Sequence, residues 1–260
     1  MSTRAATYEA VVRRREQLSE HLVRLELGGP GLAGFASTGI PDEWVALVPP
    51  GQFQSRYYTV RSWDPEAASL VLDVVVHDVG LVTEWVRTDC AGQICTVSDP
   101  KGSFAMPPEA TWLMLVGDLT ALPAMARIAA SAQVPVHAWA EVPDAEELSD
   151  YLAPLEGVRW LPQPGDGASN LADAVAGIDW PTGDGYFWMA GESAQMRAIR
   201  KHLMRERRLP STAYDVMGYW RGGTARQPRA VDPGPIWRTG KAAGKTDEQI
   251  WADYDEARES

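Results

Sequence analysis

The chain has 260 residues, of which 45% are hydrophobic, and a formal net charge of −11. That length predicts two domains at about 150 residues each, and the acidic balance excludes general nucleic-acid binding, which needs a basic surface to displace phosphate counterions. No apolar run approaches the about 20 residues that span a bilayer, and Met1 to Thr7 lacks the apolar stretch of a leader, so a cytoplasmic protein without stable membrane insertion is expected.

From Tyr8 to Ser98 short strand candidates alternate with turn chemistry: Tyr8–Arg14, His21–Leu27, Trp44–Val48, Arg56–Trp63, Ser69–Val76 and Ile94–Val97. Six strands at this spacing predict a small antiparallel barrel or sandwich. Leu81, Val82, Trp85 and Val86 recur instead at helical spacing, which predicts a short helix across one mouth of the barrel. Cys90 and Cys95 form neither a C-x-x-C pair nor a metal-ligand pattern, so they read as reduced structural thiols, and no metal site is expected.

After Pro107-Pro108 the pattern changes. Trp112 to Val116 is a continuous apolar run, as in a strand buried on both faces. Helix-like Ala121–Ala130 and strand-like Val136–Ala140 follow, then elements at Glu146–Tyr151, Val158–Leu161 and Leu171–Ala176. Strand-like Tyr186–Ala190, helix-like Ala194–Arg207 and a final strand at Tyr214–Tyr219 complete an open, mostly parallel α/β sheet. Beyond it lies a segment rich in Gly, Pro and basic residues, with a short helix expected at Asp247–Glu259. The expected division is a barrel over 1–106, an α/β domain over 107–223 and a tail over 224–260.

Arg56-Tyr57-Tyr58-Thr59-Val60-Arg61 places cations, aromatics and a hydroxyl on one strand. Alternation puts Arg56, Tyr58 and Val60 on one face and Tyr57, Thr59 and Arg61 on the other, and strand twist can aim both sets at one ligand. An aromatic face covers a flavin ring, a hydroxyl binds a ring or ribose oxygen, and an arginine pairs with pyrophosphate in fork geometry. Tyr and Thr are also ordinary strand formers, so an unliganded strand stays open.

In the turn Gly117 to Pro123, Thr120 as helix N-cap and Pro123 in the first turn would leave backbone donors for an anionic ligand, or simply make a capped connection. Gly191-Glu192 occupies the equivalent edge position after its own strand. Glu141 ends the strand between them; its carboxylate suits a ribose 2′-hydroxyl and repels a 2′-phosphate, favouring NADH over NADPH, unless it is a solvated loop acid. Gly240 to Thr246 imitates a phosphate loop but is one residue short and follows no buried strand. A nucleophile elbow and a His-Glu-x-x-His pair are both missing, which removes support for hydrolase and metalloenzyme readings.

Taken in order, Arg56 to Arg61, Val74-Val75-Val76-His77, Gly117 to Ala124 and Gly218-Tyr219-Trp220-Arg221 resemble the siderophore-interacting protein family, flavin-dependent ferric-siderophore reductases on a ferredoxin-reductase-like scaffold. The resemblance implies a β-barrel FAD-binding domain followed by an α/β NAD(P)H-binding domain. It implies that the first motif binds FAD, and that Val75, Val76 and His77 lie beside it with Thr83 and Trp85 on the following helix. Asp99 to Phe104, with Gly102 and Ser103, is similar to the family's connection between domains. Asp118, Thr120 and Ala121 would line the interdomain cleft with Glu141, Gly191 and Glu192, and Tyr219 and Trp220 would approach the flavin.

A ferric siderophore, commonly anionic, needs a local basic patch, for which Lys101, Arg221, Arg226, Arg229 and Arg238 are the candidates. No side chain is expected to be catalytic beyond the flavin. The turn Asp78 to Val86 departs from the family's Gly-x-Gly-Pro-Ala pattern, and Leu119 stands where an acid is common. A monomeric FAD-dependent NAD(P)H:ferric-siderophore reductase is therefore expected; a reductase with another acceptor and a siderophore-binding protein without tight FAD are the alternatives.

Overall fold

A computed structural model of the chain describes residues 6–77, 80–153, 155–164 and 169–221, with 236, 239, 240, 242–245 and 249. The alternating strands of the first part close into a barrel. Its strands are β1 (Thr7–Ser19), β2 (Leu22–Gly28), β3 (Trp44–Val48), β4 (Arg56–Asp64), β5 (Ser69–Val75) and β6 (Ile94–Ser98). They run in the order β1-β2-β5-β4-β3-β6, and every neighbouring pair is antiparallel. The period of two sends Val23, Leu25 and Leu27, Val45 and Leu47, and Leu70, Leu72 and Val74 into one core. Val82 and Val86 of α1 (Leu81–Arg87) join that core, so the helix covers the barrel as its spacing predicts. Cys90 and Cys95 are both free and buried.

The second part is a parallel sheet of β7 (Leu113–Asp118), β8 (Val136–Val142), β9 (Arg159–Pro162), β10 (Tyr186–Glu192) and β11 (Tyr214–Trp220), in the order β11-β10-β7-β8-β9. Both faces are covered, which is why its central strands read as unbroken apolar runs. Leu113 and Leu115 face the cluster that holds α2 (Leu122–Ser131), while Met114 and Val116 face the cluster of α3 (Leu171–Ala176) and α4 (Ser193–Arg205).

The α2 cluster also contains Leu22 and Val75, so the barrel packs on that side of the sheet. Two expectations change in detail. Glu146–Tyr151 yields only a single 3-10 turn at Ser149–Leu152, and the helix expected to reach Arg207 stops at Arg205. The proposed helix at Asp247–Glu259 lies outside the described residues apart from position 249.

Candidate functional site

Ligands of open α/β sheets gather at the carboxyl ends of the strands, where the strand order reverses. The chain goes from β7 to β8 and β9 on one side and returns to β10 and β11 on the other, so the reversal lies between β7 and β10. Gly117 pairs with Ala190 there, Asp118 with Glu141, and Glu192 with Trp220. Small residues are required at this edge. A Cβ on Gly117 would lie 2.4 Å from the Ala121 Cβ; Gly191, at φ +154°, would place one 2.6 Å from Asp118 Oδ2.

Asp118 organises the edge. Its Oδ1 accepts from the Thr120 N–H at 2.9 Å and the Thr120 hydroxyl at 2.5 Å, and its Oδ2 accepts from the Trp220 indole N–H at 2.6 Å. Asp118, rather than Thr120, is therefore the N-cap of the turn that leads into α2. Burial pushes the Asp118 carboxyl above its ordinary range; the Thr120 and Trp220 bonds oppose that rise and Glu141 adds to it.

Glu141 is 1% exposed, so it is not a solvated loop acid. Its Oε1 accepts from the Asn170 N–H at 2.7 Å, and its Oε2 is buried without a hydrogen-bond partner among the described residues. Glu192 caps α4, accepting from the N–H groups of Ala194 and Gln195 at 2.6 and 2.9 Å. Ser193 donates to the Trp220 carbonyl at 2.7 Å, which ties α4 to the end of β11.

The barrel brings β4 to the same junction. Val60 points into the barrel core, its N–H bonded to Glu43 and its carbonyl to Arg127, so it has no group free for a ligand. Tyr58 packs on that core too, and burial raises its hydroxyl's pKa. The opposite face presents Tyr57, 67% exposed, and Thr59, 5% exposed. The Tyr219 hydroxyl of β11 lies beside Thr59, buried but without a well-formed hydrogen bond. Arg61, at a β-bulge, is turned away to Asp73, 3.9 Å distant, and over the Tyr151 ring.

Antiparallel pairing of Val60 with Leu72 sets the start of β4 beside the end of β5, where Val76, His77 and α1 follow. Val75 is committed to the interdomain core and Val76 to the barrel core. The His77 N–H donates to the Thr83 hydroxyl at 3.2 Å, and its carbonyl accepts from Arg87 at 2.8 Å. Trp85 packs on the barrel cluster and donates to Gln93 at 2.7 Å. Thr83 and Trp85 thus anchor α1. Gly80, at φ +151°, precedes α1 and supplies no side-chain cap to its first-turn donors.

Ser103 and Gly102 lie in the connection between domains, with Ser103 bonded to Asp42 and Asp215. Lys101 and Arg221 are exposed. Arg226, Arg229 and Arg238 lie outside the described residues. Sequence reasoning missed the buried charges Asp42, Glu43 and Asp73, the half-buried Asp215, and Arg127, the partner of Glu43. Each sits in an ordinary polar context along the chain, and nothing local distinguishes it from a surface charge.

The junction presents groups whose chemistry suits a planar ring with polar edges. Phe53 and Tyr57 are uncovered aromatics, 59% and 67% exposed, near Arg56, while Tyr219 Oη and Glu141 Oε2 are buried polar atoms without a well-formed hydrogen bond among the described residues. Residues 51–104 match the family model described as "Siderophore-interacting FAD-binding domain" and residues 110–223 the one described as "Siderophore-interacting protein". The chain is 29% identical, over 88% of its length, to the mycobactin import ATP-binding/permease protein IrtA of Mycobacterium tuberculosis, of which it spans only 28%. It is 28% identical to the NADPH-dependent ferric-chelate reductase of Escherichia coli, covering 82% of this chain and 92% of that protein. A siderophore utilization protein from T. fusca superposes with a TM-score of 0.72 at 29% identity, covering 88% of this chain and 95% of that one.

Proposed function

Because the chain belongs to the siderophore-interacting protein family, we propose that it is an FAD-dependent NAD(P)H:ferric-siderophore reductase. The barrel, residues 1–106, would hold the flavin, and residues 107–223 would receive the nicotinamide donor. The observation that carries this reading is Thr59 of β4 set against Tyr219 of β11, which brings the cofactor motif to the edge where the strand order reverses.

FAD, when bound, supplies hydride acceptance and one-electron delivery to Fe(III). Arg56 would pair with its pyrophosphate, as would the uncapped first turn of α1. Tyr57 offers the exposed ring face, and Thr59 and Tyr219 offer hydroxyls that bind and orient a polar ring edge. Leu22 and Val75 pack into the sheet's own core, which excludes water between the domains. Glu141 Oε2 would accept from a ribose hydroxyl of the donor and repel a 2′-phosphate, which favours NADH. Lys101 and Arg221 would receive an anionic ferric siderophore, with Arg226, Arg229 and Arg238 as further candidates. The place of action is the cytoplasm and the working form a monomer.

The test is an anaerobic visible spectrum of the purified protein with NADH or NADPH, a ferric siderophore and an Fe(II) trap. Flavin bleaching followed by trapped Fe(II) is expected, faster with NADH. A protein that retains no added FAD, or that bleaches without reducing iron, overturns the reading.

A further inference from the structure

Three segments meet between barrel and sheet: the loop before β3, the connection after β6, and the start of β11. Asp42 is fully buried. Its Oδ1 accepts from the N–H groups of Ser103 and Phe104 at 2.9 and 3.0 Å, and its Oδ2 lies 2.9 Å from Ser103 Oγ and 3.5 Å from the Trp188 indole nitrogen. The same Ser103 Oγ lies 2.7 Å from Asp215 Oδ2. A serine hydroxyl has one proton to donate, yet it stands between two carboxylate oxygens at hydrogen-bond distance. The second contact needs a second proton, and only a carboxyl group can supply it.

We propose that Asp42, Ser103 and Asp215 form a proton-holding latch between barrel and sheet, in which the two carboxyl groups together retain one proton. The proton belongs on Asp215. Asp42 already accepts two backbone N–H groups, and Ser103 donates to it. Asp215 then donates to Ser103 Oγ. Burial raises the pKa of Asp215; its Ser103 bond opposes the rise, the Asp42 charge adds to it, and the Val216 N–H and Arg200 oppose it. Tyr186 of β10 and Tyr219 of β11 also face the two acids, and burial together with those charges keeps both hydroxyls protonated. Arg200 of α4 is the cation facing Asp215, and it is engaged with the Val216 carbonyl at 2.7 Å.

Loss of the proton to solvent places two like charges on either side of Ser103 and leaves Ser103 Oγ repelled by one of them. A carboxyl group whose folded pKa is raised stabilises the fold below its unfolded pKa, near 3.8, and that contribution is lost as pH rises through the folded value. The latch is therefore closed at lower pH and weakened at higher pH. Because β11 also carries Tyr219 to Thr59, the latch sets how the sheet meets the cofactor motif.

The test is Asp215→Asn, whose amide donates to Ser103 Oγ without titrating. The wild type should lose thermal midpoint as pH rises above the ordinary carboxylate range, while Asp215→Asn should lose less and match or exceed the wild type at alkaline pH. An infrared difference spectrum, wild type minus Asp215→Asn, should contain a protonated carboxylic acid band that disappears over the same pH range. Parallel loss of stability in both proteins, or no such band at any pH where the wild type is folded, overturns the proposal. If Asp215→Asn does not fold, Ser103→Ala gives the same decision, because removing the bridging oxygen should shift the pH at which that band is lost; an unchanged titration overturns the latch.

Discussion

At the residue scale the edge around Asp118 is tightly determined. Replacing Asp118 by Asn turns an amide N–H toward either Trp220 or Thr120, both of which donate. The expected cost is about 1–3 kcal/mol in denaturant unfolding. Trp220→Phe should cost less, and the double variant should show coupling between the two sites rather than additivity. Gly191→Ala combines φ +154° with a Cβ 2.6 Å from Asp118 Oδ2. It should destabilise by about 1–3 kcal/mol and disturb the indole contact, read as a change in tryptophan fluorescence. The importance of Gly117, Asp118 and Gly191 was legible in the sequence as turn chemistry after buried strands, and that of Trp220 through the family resemblance alone. Their mutual bonds were not, because Trp220 lies 102 positions from Asp118 along the chain.

At the scale of elements, α2 is the clasp. Arg127 reaches from it to Glu43 at 3.2 Å and to the Val60 carbonyl at 2.6 Å. Glu43 also accepts from the Ser37 hydroxyl at 2.6 Å and from both the N–H and hydroxyl of Thr38 at 2.7 Å. Arg127→Ala should cost about 3 kcal/mol, because it leaves a buried carboxylate without its cation. Those remaining donors hold the loss to the low end of the range. The segment of α2 read as helix-like, but an arginine on such a helix reads as solvated, and only the packed barrel shows that it is enclosed. The same applies to Arg61: its place in the strand motif suggested a ligand contact, while the β-bulge turns it to Asp73.

For the whole molecule, the polar links that join barrel to sheet among the described residues include Arg127 to Glu43, Asp215 to Asp42 through Ser103, the Glu20 N–H to Glu147, and Tyr151 to Asp73, which Arg24 also holds with bonds of 2.7 and 2.8 Å. With Leu22 and Val75 sharing the sheet's core, the described residues should unfold in one thermal transition. FAD at a hundredfold excess over its Kd should raise that transition by about 2.7 kcal/mol of stability. Combining Arg127→Ala with Tyr151→Phe should split it in calorimetry, with FAD protecting only the barrel step. By itself the sequence determined the two architectures, because periods of two, helical spacing and doubly buried apolar runs are local consequences of backbone geometry and burial. The ordered motifs likewise carried the family. Only the tertiary structure decided which polar side chains are free for a ligand and which are consumed holding the domains together, because that depends on burial and on partners brought from distant parts of the chain.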